Sequence, residues 1–97
     1  MAYYAVHYSY DPASIARQDE LRPEHRAYLA TLVEQGSLIA SGPFVGAESP
    51  NALLIFRTES EQQVRDLLAE DPFQQANLVV EWSVTEWNPV LGVFAQS

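Results

Sequence analysis

The chain alternates between short runs of β-forming residues and stretches with helical spacing. Residues 2–9 carry Tyr3, Tyr4, Val6 and Tyr8 and predict a first strand with neither face clearly polar. Asp11-Pro12 marks a turn. Residues 13–22 are polar and charged without a clear period, which predicts a loop or an early helical turn. Pro23 suits the first turn of a helix. From there His25, Tyr28, Leu29, Leu32 and Val33 recur on one helical face, and Gly36 is the natural stop. Residues 38–44 predict a second strand whose end, at Pro43, is an edge or a bulge. Residues 46–51 predict a hairpin loop and residues 52–57 a third strand. Ser60 with Gln63 resembles a capping box that opens a second helix with the stripe Val64, Leu67, Leu68. That helix ends near Asp71, because Pro72 disfavours helical geometry in the residue before it. Residues 77–87 predict a fourth strand, with Leu78, Val80, Trp82 and Val84 on one face and Val79, Glu81, Ser83, Thr85 and Trp87 on the other. Asn88-Pro89 ends it and leaves a partly apolar tail.

The order is βαββαβ, which predicts an α+β, ferredoxin-like domain over residues 1–97, with its core in 2–88 and a tail in 89–97. Right-handed crossovers place both helices on one face of a four-stranded antiparallel sheet. The start of the first helix and the end of the second then share one end of the domain. His25 and Asp71 fall there, together with Tyr8, Tyr10 and Ser41-Gly42-Pro43-Phe44. The arrangement predicts a pocket rimmed by an imidazole, a carboxylate and several aromatic rings.

Several segments in this order and spacing carry a family resemblance. They are Arg22-Pro23-Glu24-His25 with Tyr28-Leu29 and Leu32, Gly36, Ser41-Gly42-Pro43-Phe44, Ala52-Leu53-Leu54-Ile55, Asp71-Pro72-Phe73 and Glu86-Trp87-Asn88-Pro89. Together they resemble the YciI-like (YCII-related) family nearly end to end. The resemblance implies a dimeric α+β barrel of ferredoxin-like subunits and an active site with a His and an Asp, which match His25 and Asp71. One such relative is a dehydrochlorinase of a chlorinated hydroxyquinol, and the fold is similar to that of muconolactone isomerases. Two positions depart from the family pattern. Asn51 stands where the hairpin would carry Gly, and Asn77 where Gly often follows the Asp-Pro-Phe segment. Asn tolerates left-handed geometry, so the backbone can survive both.

Composition narrows the function. Ninety-seven residues make one domain. Thirteen acidic residues against five basic ones give a net charge of −8, which argues against nucleic acid as a partner. No apolar run is long enough to predict a membrane span, and no basic-then-apolar start predicts a signal peptide. The absence of cysteine excludes thiolate chemistry and fits a reducing, cytoplasmic setting. Two histidines at unrelated positions do not make a metal shell. With no Gly-rich phosphate loop and no nucleophile elbow either, no metal and no cofactor is expected.

Each candidate residue has a functional and a plain reading. His25 is a general base or a packed helix-entry histidine. Asp71 orients it, or caps the turn that follows through the N–H of Phe73 or Gln74, or does both. Arg22 binds an anionic group of the substrate or pairs with Glu20 or Glu24. Ser41 and Gly42 contact the ligand or belong to an ordinary strand, with Gly42 as a bulge. Tyr8 and Phe44 wall an aromatic substrate or pack the core. His7, on the face opposite Tyr8, suits an interface or the surface. Large hydrophobes on both faces of strands one, three and four predict a homodimer by sheet-to-sheet packing. The leading function is a small cofactor-independent enzyme using a His/Asp pair for proton transfer on a small cyclic or aromatic, carbonyl-bearing molecule, as an isomerase, lyase or dehalogenase. The alternative is a non-catalytic, small-ligand-binding dimeric module. A third reading is an oxygenase that uses neither haem nor flavin.

Overall fold

The computed structural model describes residues 1–46 and 51–95. Four strands, β1 (Ala2–Tyr10), β2 (Leu38–Pro43), β3 (Asn51–Thr58) and β4 (Val79–Trp87), form one antiparallel sheet in the order β2-β3-β1-β4. Helices α1 (Ile15–Glu34), α2 (Glu61–Ala69) and the short α3 (Pro72–Gln75) complete the ferredoxin-like order. The core lies between sheet and helices. Tyr4, Val6, Tyr8 and Tyr10 alternate along the central β1 toward Leu54 and Phe56 of β3, Leu29 and Leu32 of α1, and Val64 and Leu68 of α2. Among the described residues no helix is long and apolar enough to cross a membrane.

Helix α1 corrects the expectation for residues 13–22 and the placing of Pro23 at a helix start. The chain is helical from Ile15, so Pro23 is its ninth residue and His25 lies mid-helix. Asp11 leads into it through a 3-10 turn, Pro12–Ser14, accepting the Ala13 N–H at 2.9 Å. The added turns bury only Gln18 before His25, so they leave no apolar period to read. Leu21 packs partly against the core, Gln18 Nε2 donates to Ser14 Oγ, Arg17 pairs with Glu20, and Arg22 pairs with Asp19 rather than Glu20 or Glu24. Pro23 donates no N–H to the carbonyl four residues earlier, a local cost that α1 absorbs without ending.

Two left-handed residues close helices. After α1, Gly36 (φ +82°) donates to the Val33 carbonyl while Ser37 donates to that of Leu32, a Schellman motif. After α3, Asn77 (φ 59°) does the same, with its N–H on Gln74 and that of Leu78 on Phe73. Asn thus fills a position that favours Gly. Asn51 instead opens β3 as a strand residue and accepts the Ser9 hydroxyl at 2.8 Å. Helix α2 starts at Ser60, whose Oγ accepts the Gln63 N–H at 3.2 Å. Residues 47–50 of the expected hairpin loop lie outside the described residues.

The faces of β4 differ from the simple alternation. The β1–β4 register shifts between Ser9 and Tyr10, which pair with Glu81 and Val79. Val80 is the extra residue, so Val79 faces the core with Tyr10 and Val80 is exposed. Beyond the bulge Trp82 and Val84 share the helix-covered face with Tyr8 and Val6. The register puts large apolar residues of β1, β3 and β4 on the open face, but fewer than the alternation suggests. Glu81, Ser83 and Thr85 of β4, and Ala5, His7 and Ser9 of β1, keep most of it polar or small. Its large apolar residues are Tyr3, Leu53, Ile55 and Trp87, with Phe94 of the tail packed on Tyr3 and Trp87.

Candidate active site

Asp71 is the centre of the site. It precedes α3, and its Oδ1 accepts the Phe73 N–H at 3.0 Å, so the carboxylate caps the short helix. The same Oδ1 lies 2.7 Å from His25 Nδ1, and Oδ2 accepts the Tyr8 hydroxyl at 2.9 Å. Asp71 is fully buried and His25 is 8% exposed. Two donors, the Phe73 N–H and the Tyr8 hydroxyl, and the His25 ring nitrogen converge on one carboxylate, which has lone pairs for all three. The helix cap and the contact with His25 thus share one carboxylate oxygen. Phe73 stacks on the imidazole with ring centres 3.9 Å apart and planes 3° from parallel, and Tyr10 meets Phe73 edge-on. The capped turn of α3 thus fixes the His25 ring by one backbone N–H, one carboxylate and one aromatic face.

Burial and the neighbouring Asp71 push the Tyr8 hydroxyl well above its ordinary 10.0, so Tyr8 stays a neutral donor. Tyr10 is raised in the same way, with Arg22 opposing. Folded pKa values above unfolded ones mean that the native state holds more protons in alkali. The stability they contribute is complete below the ordinary pKa of about 10 and is lost as pH rises past it. Alkaline unfolding followed by circular dichroism should therefore steepen above about pH 10. Tyr10→Phe should flatten that slope.

A cavity of about 550 Å³ opens between α1 and the β2–β3 edge. Arg22, His25, Ser41, Gly42 and Phe44 line it, so five of the seven expected site residues are brought together. Asp71 stands behind His25, outside the lining. Tyr8, expected to wall the substrate, is instead wholly buried and reaches the cavity only through Asp71. Gly42 is an ordinary strand residue, since the β2–β3 irregularity falls between Leu38 and Ala40. A Cβ built on Gly42 meets nothing within 4 Å. His7 is exposed and lies 5.8 Å from the Phe44 ring. Gln18 and Arg26 also line the cavity and were not anticipated. The signal for both was helical: they share an α1 side with Arg22 and His25, legible for Gln18 only once the helix is extended back to Ile15, and for Arg26 already in the expected helix, beside His25. Among the described residues no group of three His, Asp or Glu is placed to hold a metal ion.

The YCII-related domain model matches residues 2–88. The chain belongs to the YCII-related family. No curated protein matches it. Among solved structures it is similar to the 5-chloro-2-hydroxyhydroquinone dehydrochlorinase TftG from Burkholderia phenoliruptrix AC1100, in complex with 2,5-dihydroxybenzoquinone. The TM-score is 0.78 at 25% sequence identity, over 89% of this chain and 93% of that one.

Proposed function

We propose that this YCII-related protein is a small acid–base enzyme that uses no cofactor. Its substrate is a small cyclic or aromatic compound with carbonyl or acidic hydroxyl groups, and its reaction an isomerisation or a dehalogenating elimination. The observation that carries this is the buried His25–Asp71 contact at the cavity wall. An ionised Asp71 takes the proton on Nδ1 as its hydrogen bond, which leaves the Nε2 lone pair free as the base. When Nε2 accepts a substrate proton, the imidazolium stays beside the carboxylate at 2.7 Å. Returning the proton to another atom gives isomerisation. Losing a halide gives elimination.

The similarity to a dehydrochlorinase supports the second outcome. Removing HCl from a chlorinated hydroxyhydroquinone balances without a co-reactant. Two hydroxyl protons leave oxygen. One is delivered to the carbon that bears chlorine, the other passes through the base to solvent, and chloride departs with the C–Cl pair. The ring ends as a quinone. The test is chloride release from 5-chloro-2-hydroxyhydroquinone, with the rate in buffer subtracted. Release by the wild-type protein that depends on His25 supports the proposal. Saturable binding with no release above buffer favours a ligand-binding module instead.

The proposed assembly is a homodimer packed through the open sheet face. Leu53 is 36% exposed and Trp87 39%, the Tyr3–Trp87–Phe94 cluster adjoins them, and a second sheet would cover them all. Leu53→Glu should convert a dimer to a monomer in sedimentation at micromolar concentration. A wild-type monomer there contradicts the dimer.

A further inference from the structure

The arginines that line the cavity are opposite in sign to the net charge of the protein. The chain carries −8, with thirteen acids against five cations, all of them arginines. Two of those five, Arg22 and Arg26, line the cavity, and no described acidic residue does. The other three are engaged elsewhere. Arg17 pairs with Glu20, Arg65 with Glu61, and Arg57 lies over the Tyr3 ring. Arg22 pairs with Asp19 through Nη1. Arg26 makes no hydrogen bond, ion pair or ring contact among the described residues. Arg22 and Arg26 are four apart on α1, one turn along the same face, with His25 between them. Two like charges so placed repel one another unless an anion joins them. The rest of the wall includes Leu29, Leu54, Phe44 and Phe73, which suit an apolar ring.

We infer that the cavity binds a ring compound bearing a carboxylate. Arg26, with Arg22, holds the carboxylate in the planar, two-toothed manner of guanidinium groups. The ring lies against Phe44 and Phe73, within reach of His25. The inference rests on reading this cavity as the substrate site, and it makes Arg26 an anchoring residue that sets substrate charge.

Nitrogen–proton NMR spectra of the full chain titrated with sodium benzoate test it, with benzamide as the neutral isostere and inorganic phosphate as a plain anion. Benzoate should give saturable shifts confined to α1, α3 and the β2–β3 edge. Arg26→Gln should weaken it roughly 10-fold or more. Arg65→Gln, far from the cavity, should leave it unchanged. Benzamide binding as tightly as benzoate, phosphate competing equally with it, no saturable shift, or full affinity in Arg26→Gln overturns the inference. His25→Asn separates the two ideas. Benzoate affinity kept while turnover is lost supports both. Affinity kept with turnover intact leaves the anion site standing and removes the His25 mechanism.

Discussion

Replacing His25 with asparagine should lower turnover by about 10²–10⁴-fold, the range that a positioned general base contributes. The change removes the one titratable ring that both touches Asp71 and lines the cavity. Asparagine still offers an N–H toward Asp71, so the buried carboxylate is not stranded and the fold should persist. The loss should therefore appear in kcat far more than in the unfolding midpoint. Halide release from a chlorinated hydroxyhydroquinone measures the first, and urea denaturation the second. Halide release within twofold of wild type in a folded variant leaves no catalytic role for this histidine.

Replacing Asp71 with alanine should cost about 3–5 kcal/mol of stability, as much as truncating a large core side chain. Three groups lose their partner at once: the Tyr8 hydroxyl, the Phe73 N–H and His25 Nδ1. All are buried, so water cannot replace the carboxylate freely, and α3 loses its cap. Phe73 and Tyr10 pack at the same place, so the disturbance reaches the core end of β1. Asp71→Asn keeps the volume and one carbonyl acceptor, so it should cost less stability. It should still lower turnover, because an amide no longer requires the Nδ1–H tautomer. An Asp71→Ala variant unfolding within about 1 kcal/mol of wild type contradicts the convergence of those three groups.

The fold was legible because its elements keep clean periods. β1 alternates, α2 carries Val64 and Leu68 on one stripe, and Ser60 and Gly36 mark the helix ends they suggest. The first half of α1 was not legible, because Leu21 is its one apolar residue packed on the core and the other inward residue, Gln18, is polar. That misplacement hid Gln18, whereas Arg26 lay within the expected helix but off its apolar stripe. The bulge in β4 is equally silent: Val79 and Val80 are the same residue type, and only pairing with Tyr10 decides which faces in. Coincident helix ends and the family resemblance both pointed to His25 and Asp71 together, although α1 begins ten residues before His25 and carries it mid-helix rather than at its start. Tyr8 beneath Asp71 was not legible, because a strand tyrosine that walls a cavity and one that props a carboxylate have the same pattern. The short helix after Asp71 follows from Asp-Pro, and Asn77 closes it as a glycine would.

The central claim is that Asp71 holds the proton of neutral His25 on Nδ1 and leaves Nε2 basic. Long-range nitrogen–proton NMR of the imidazole reads this directly, with the exposed His7 as an internal reference. At a pH where His25 is neutral, the account predicts one tautomer, protonated on Nδ1, that becomes a mixture in Asp71→Asn. A proton on Nε2 in the wild-type protein, or a tautomer mixture unchanged by Asp71→Asn, would contradict it.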